Sequence, residues 1–138
     1  MIVFQDELSV KTDPKSFSNI SREVQRIVEK SGVRTGLCTV FVRHTSASLV
    51  IQENADPAVL RDLRRWVDKV IPESFGWEHD AEGPDDMPAH ARSAVTRTSE
   101  TIPVSDGRLV LGTWQALYLW EHRAHAHSRQ LVVHVSGI

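Results

Sequence analysis

A chain of 138 residues and 15.5 kDa, 41% hydrophobic and 25% charged, has the composition of one soluble globular domain and is too short for two. It can bury roughly two-thirds of the surface its unfolded form exposes, so folding by itself demands neither a disulfide nor a structural metal. With 16 Lys+Arg against 18 Asp+Glu the formal charge is -2, which offers no general attraction to nucleic acid or to an anionic membrane.

Lysine occurs only at Lys11, Lys15, Lys30 and Lys69, so most of the cations are arginine, the side chain suited to bidentate capture of phosphate or carboxylate. The single cysteine, Cys38, stands among the strand formers Leu37, Thr39 and Val40 and reads as a buried, inert thiol. Asp6 and Glu7 fall where a secretory signal needs an apolar run, and no apolar stretch approaches the roughly 20 residues of a membrane span. The expected compartment is the cytoplasm, with no membrane partner.

Residues 2–10 read as a first strand. Asp13 and Pro14 then form a cap and a first helical position, and Phe17, Ile20, Val24, Ile27 and Val28 recur at helical spacing until Gly32 closes the helix. Residues 36–43 and 49–52 are rich in β-branched and apolar side chains and predict two paired strands joined through His44, Thr45 and Ser46. Asp56-Pro57 repeats the cap-then-proline start. From there Val59, Leu60, Leu63, Trp66, Val67 and Val70 line the core face of a second helix, which stops before Pro72. Residues 73–88 lack periodicity and form a polar loop, of a length that in a small domain points to function. A third helix over 88–97 would turn Ala91, Ala94 and Val95 inward. Strands follow at 100–104, 108–111, 114–120 and 131–136, with a turn at 105–107. Trp114 and Trp120 share strand parity and suit the core or a subunit contact. The closing hairpins are too tightly spaced for parallel crossovers, which predicts an α+β fold with largely antiparallel sheet and one domain over 1–138.

Three polar constellations can carry chemistry. At a strand end, Arg43-His44-Thr45-Ser46 can converge donors on an anion, or simply cap its own turn. In the long loop, His79, Asp80, Glu82, Asp85, Asp86 and His90 can ligate a divalent metal, imidazole favouring zinc-like ions and carboxylate favouring magnesium; alternatively Asp85 or Asp86 caps the next helix. Between two apolar strands lie Glu121, His122, Arg123, His125, His127 and Arg129, of which the turn histidines read as solvated and Arg129 as a strand-entrance residue. His134, among valines, reads as a packed or sheet-surface histidine.

His44-Thr45-Ser46-Ala47-Ser48, Asn54 after Glu53, the acidic loop ending Pro88-Ala89-His90, and Gly112-Thr113-Trp114-Gln115 together resemble the YjbQ family (UPF0047), also called the secondary thiamine-phosphate synthase enzyme family. The match covers almost the whole chain. The resemblance implies an α+β fold with β-sandwich-like sheets and two to three helices, assembled as a homotrimer with polar pockets near subunit boundaries. It implies joining of a pyrimidine diphosphate to a thiazole phosphate with release of pyrophosphate. The same ligands would serve a metal-dependent phosphate-ester hydrolase, and the same anion pocket a non-catalytic phosphometabolite-binding protein. Carried onto this chain, the resemblance makes His44, His90 and Glu121 the catalytic candidates. Arg129 also falls on a recurrent family position and, with Arg123 as helper and Thr45 and Ser46 of the strand-end turn, makes the phosphate-binding set, while His79, His90, His44, Asp85 and Asp86 are the candidate ligands of magnesium or zinc. A phosphorylated small molecule is the expected substrate. Trp120, where a small residue is common in the family, is a departure that would alter the pocket wall or the subunit contact.

Overall fold

The computed structural model describes residues 1–138 as two antiparallel sheets, three α-helices and one 3-10 turn. Strands β1 (Ile2–Lys11), β8 (Ser128–Gly137), β3 (Thr35–Val42), β5 (Ser99–Ser105) and β6 (Arg108–Leu109) lie side by side in that order. A smaller sheet joins β2 (Phe17–Asn19), β7 (Gln115–Glu121) and β4 (Ala47–Glu53). Alternation decides which face is buried: Cys38, Val40 and Val42 of β3 point inward with Leu131, Val133 and Val135 of β8. Against them pack Leu49, Leu117 and Leu119 of the small sheet and Val24, Ile27 and Val28 of α1 (Ser21–Ser31), so the core lies between the large sheet and this second layer. Burial in that core pushes the Cys38 thiol up to about 12, in keeping with an inert side chain. No helix is long and apolar enough to cross a membrane.

Four expectations from periodicity are corrected. The first helix starts at Ser21, because Phe17–Asn19 pairs with Trp120, Leu119 and Tyr118 of β7 and the Phe17 ring stacks on Trp120 at 4.6 Å. The strands β3 and β4 are not a hairpin. Both edges of β3 are taken by β8 and β5, so residues 43–46 carry the chain from one sheet to the other, where β4 pairs with β7. In α2 (Pro57–Val70) the Asp56 cap and Pro57 behave as expected, with Asp56 accepting from the Ala58 N–H at 2.9 Å. Its apolar stripe, however, buries Val67 alone and leaves Trp66 60% and Val70 57% exposed, because no element of the same chain covers that face. Trp114 is likewise exposed, whereas Trp120 is in the core region.

The fourth correction concerns α3 (Asp86–Val95), which buries Ala89, Arg92 and Ser93 and exposes Ala94 and Val95. Polar anchors set its rotation. Ser93 Oγ donates to the Ala47 carbonyl at 3.0 Å, and Arg92 donates to the Ile71 carbonyl at 2.8 Å. Where β3 meets β8, Gly36 lies opposite Gly137, and a Cβ on Gly36 would fall 2.0 Å from the Ser136 carbonyl oxygen. The two glycines permit that close backbone approach.

Candidate metal centre

Asp86 and His90 are one helical turn apart on α3, so both side chains project from the same face. The preceding loop brings His79 to that face. His79 Nε2 lies 2.7 Å and His90 Nε2 3.1 Å from the same Asp86 Oδ2. The three donor atoms lie within 4.8 Å of one another. Asp86 is buried while both rings are partly open to solvent, so the cluster has a sealed floor and an accessible mouth.

The floor is held by Arg123. Its Nη1 reaches Asp86 Oδ1 at 3.0 Å, its Nε donates to Asp85 Oδ2 at 2.8 Å, and its Nη2 donates to the Glu82 carbonyl at 3.2 Å. Burial raises the Asp85 carboxyl, but Arg123 and the Ala124 N–H outweigh it and hold it at about 2. Asp86 is also lowered: burial acts against ionisation, and His79, His90 and Arg123 overcome it. The His79 imidazole is raised, chiefly by its hydrogen bond to Asp86.

His90 Nδ1–H donates to the Thr45 carbonyl at 3.0 Å. In the neutral ring this fixes the tautomer with the Nε2 lone pair aimed at a carboxylate oxygen. Two lone pairs facing each other call for a proton or a cation between them. Two imidazoles and one carboxylate, with a hydrogen-bonded outer layer, therefore fit a divalent ion, and the nitrogen content suits zinc-like ions better than magnesium.

The expected ligand set is narrower than the sequence suggested. Asp85 is engaged by Arg123 and the Ala124 N–H. His44 stands outside the cluster: its Nε2 accepts the Gln130 N–H at 2.8 Å, which leaves Nδ1–H as a donor and no free lone pair. Burial, then the Arg129 charge, pushes the His44 pKa down, so the ring is neutral near pH 7. It does border the cluster, because His44, Thr45, Met87, His90, Ala91 and Ala94 line a cavity of about 380 Å³.

The arginine-based phosphate pocket is also corrected. Arg129 is buried and donates through Nε to Glu121 Oε1 at 2.8 Å and through Nη2 to Glu121 Oε2 and Ser46 Oγ. Glu121, fully buried, further accepts from Thr12 Oγ1 at 2.6 Å and the Arg123 N–H at 3.1 Å. Burial raises the Glu121 carboxyl, yet Arg129 and Thr12 outweigh it, so it stays ionised and fully partnered. The two side chains form a buried ion pair, with Nε and Nη2 of Arg129 both committed to Glu121. Arg129→Lys would break this bidentate contact in the interior and is expected to destabilise the fold. Ser46 is buried against Arg129 and presents no free donor, whereas Thr45 is exposed, gives only its carbonyl to His90 and keeps its hydroxyl in the lining of the cavity shared with His44.

His122 and Ser48, which the sequence places in separate polar stretches, meet in the fold: both are buried, and Nε2 and Oγ share a 2.8 Å hydrogen bond. The Trp120 ring lies 4.8 Å from that of His122. His127 donates to the His125 carbonyl within an exposed turn, and His134 bonds Gln5 on the outer sheet surface.

A profile described as "UPF0047 protein YjbQ-like" matches residues 6–138. A UPF0047 protein of Synechocystis is 58% identical over 134 residues, covering 96% of this chain and 91% of its own. The YjbQ protein of Salmonella typhimurium is 40% identical, covering 97% of this chain and 98% of its own. Among solved structures, a YbjQ-like protein of unknown function from Sulfolobus solfataricus superimposes with a TM-score of 0.91 at 29% identity, covering 99% of this chain and 98% of that one. A yjbq/upf0047 family protein from Clostridium acetobutylicum gives 0.88 at 36% identity, covering 95% and 99%.

Proposed function

The chain belongs to the UPF0047 YjbQ-like family, and within it we propose a divalent-metal enzyme that acts on a phosphorylated small molecule at His79, Asp86 and His90. The observation that carries this reading is the convergence of those three side chains, with His90 locked in the metal-competent tautomer by Thr45. When bound there, the ion would neutralise charge building up on a departing phosphate or pyrophosphate. Arg123 keeps Asp86 ionised and oriented, and His44 Nδ1–H supplies a neutral donor to a phosphoryl oxygen in the adjoining cavity. Met87, Ala91 and Ala94 supply the apolar side of that cavity. The reaction to test first is the condensation of hydroxymethylpyrimidine diphosphate with thiazole phosphate, because a thiazole nitrogen attacks without a strong base and departure of the pyrophosphate is the demanding part. A phosphate-ester hydrolase is the second reading, favoured by the engagement of both nearby arginines, since a monophosphate needs less counter-charge than a diphosphate.

Zinc and magnesium titrations by calorimetry, followed by product identification with both thiamine precursors and a generic phosphate ester, test this. One ion should bind per chain, zinc more tightly than magnesium. His90→Ala should lose at least about 100-fold in metal affinity, while its metal-free melting temperature stays close to that of the parent because the ring is partly solvated. Unchanged metal stoichiometry in His90→Ala would refute the site. A homotrimer that covers the apolar face of α2 is the assembly to test: light scattering should give three times the 15.5 kDa chain mass, and a mass of one or two chains would contradict it.

A further inference from the structure

Trp77 lies in the aperiodic loop two residues before His79, yet it is held on two sides. Its ring centroid is 4.4 Å from that of Phe75, and its Nε1–H donates to the Pro72 carbonyl at 3.1 Å. With its one polar atom satisfied by its own loop, the indole is left to offer apolar, polarisable surface. That surface lines a cavity of about 540 Å³ shared with Glu78, His79 and Met87. His79 belongs to the metal cluster as well, and Met87 also lines the cavity on the His90 side, so the open ground beside the cluster runs from Trp77 across Met87 to His44.

We propose that Trp77 is a specificity-determining platform that stacks on a flat aromatic or heteroaromatic ring carrying the substrate's phosphate. The inference rests on the reading of His79, Asp86 and His90 as a phosphate-binding metal centre and adds the part of the ligand that centre does not touch. Polarity sets the orientation. The Glu78 carboxylate lines the Trp77 cavity and repels an anion there, so the phosphate lies at the cluster and the ring at the indole. Pre-fixing the indole through Phe75 and Pro72 removes the ordering cost that a loose surface tryptophan would incur on stacking. Met87, unbranched and polarisable, adapts to the ring edge.

Calorimetry on the zinc-loaded protein with phenyl, cyclohexyl and methyl phosphate tests this. Phenyl phosphate should bind about tenfold more tightly than methyl phosphate and more tightly than cyclohexyl phosphate, which matches its size but is not flat. Trp77→Leu should bind the phenyl and cyclohexyl esters equally while keeping its zinc and methyl phosphate affinities, and Trp77→Phe should retain the preference for phenyl. A wild-type protein that does not separate phenyl from cyclohexyl phosphate, or a Trp77→Leu protein that still does, would overturn the platform and leave the metal centre standing. Failure of the zinc-loaded protein to bind any of the three esters would overturn both.

Discussion

Glu121→Ala is expected to destabilise the fold by about 3–5 kcal/mol, since removing one member of a buried ion pair strands the other. The residue left behind is Arg129, only 4% exposed. The Arg123 N–H loses its acceptor in the same step, and Thr12 Oγ1 keeps only the His127 carbonyl as acceptor. A domain of this size is stable by about 5–15 kcal/mol, so the variant should sit close to unfolding at 37 °C. Replacing both partners by apolar residues, Glu121→Leu with Arg129→Met, should recover most of the loss, because no charge is then buried alone. Denaturant unfolding of the two single variants and the double variant measures the coupling. A loss below about 1 kcal/mol in Glu121→Ala would mean the pair is only a spectator. The effect should also reach the candidate site. Arg129 holds Ser46 through its hydroxyl and its carbonyl, and the neighbouring Thr45 carbonyl fixes the His90 tautomer, so zinc affinity should fall in the single variants.

Elements that interact with their own sequence neighbours were legible in the chain, and those decided by distant partners were not. The Asp56-Pro57 start of α2, the Gly32 end of α1 and the Ser105-Asp106-Gly107 turn are local chemistry, and each falls where the residues place it. The pairing of β3 depends on residues 99–105 and 131–137, far along the chain, while the short join at 43–46 imitates a hairpin. Phe17, at helical spacing with Ile20 and Val24, was drawn into a strand by the open edge of β7 and the Trp120 ring. The face of α3 was unreadable from apolar spacing because Ser93, Arg92 and His90 fix it by hydrogen bonds to Ala47, Ile71 and Thr45.

The same division holds at the site. His79, Asp86 and His90 were visible as ligand types in one loop, and the four-residue interval from Asp86 to His90 becomes meaningful once the helix begins at Asp86. Residue type says nothing about which lone pairs are already taken. His44 uses its lone pair on the Gln130 N–H, Asp85 is held by Arg123, and Arg129 is closed onto Glu121; each carries the right chemistry for a role its partners preclude.

His122 should make the fold acid-sensitive well above the carboxylate range. Burial, reinforced by the charges of Arg92 and Arg129, pushes its imidazole down to about 3, whereas an unfolded histidine titrates near about 6.5. The unfolded chain therefore takes up the proton first as pH falls. The stability contributed by the neutral ring is full above about 6.5 and drains away at about 1.4 kcal/mol per pH unit toward 3. The Asp85 contribution, also lost on acidification, falls lower, between the ordinary carboxylate value of about 3.9 and its folded value of about 2. His44, lowered, acts in the same direction as His122, and His79, raised, acts in the opposite one, so the whole protein's profile mixes several groups. His122→Gln separates them, because the amide can still hydrogen-bond the Ser48 hydroxyl but does not titrate. Urea unfolding at pH 7.0, 6.0, 5.0 and 4.5, roughly spanning the upper part of that window, should give a wild-type curve that falls more steeply than the variant's by up to about 1.4 kcal/mol per unit. Parallel curves would show that the buried imidazole is protonated in the folded state over this pH range and contributes no such acid sensitivity.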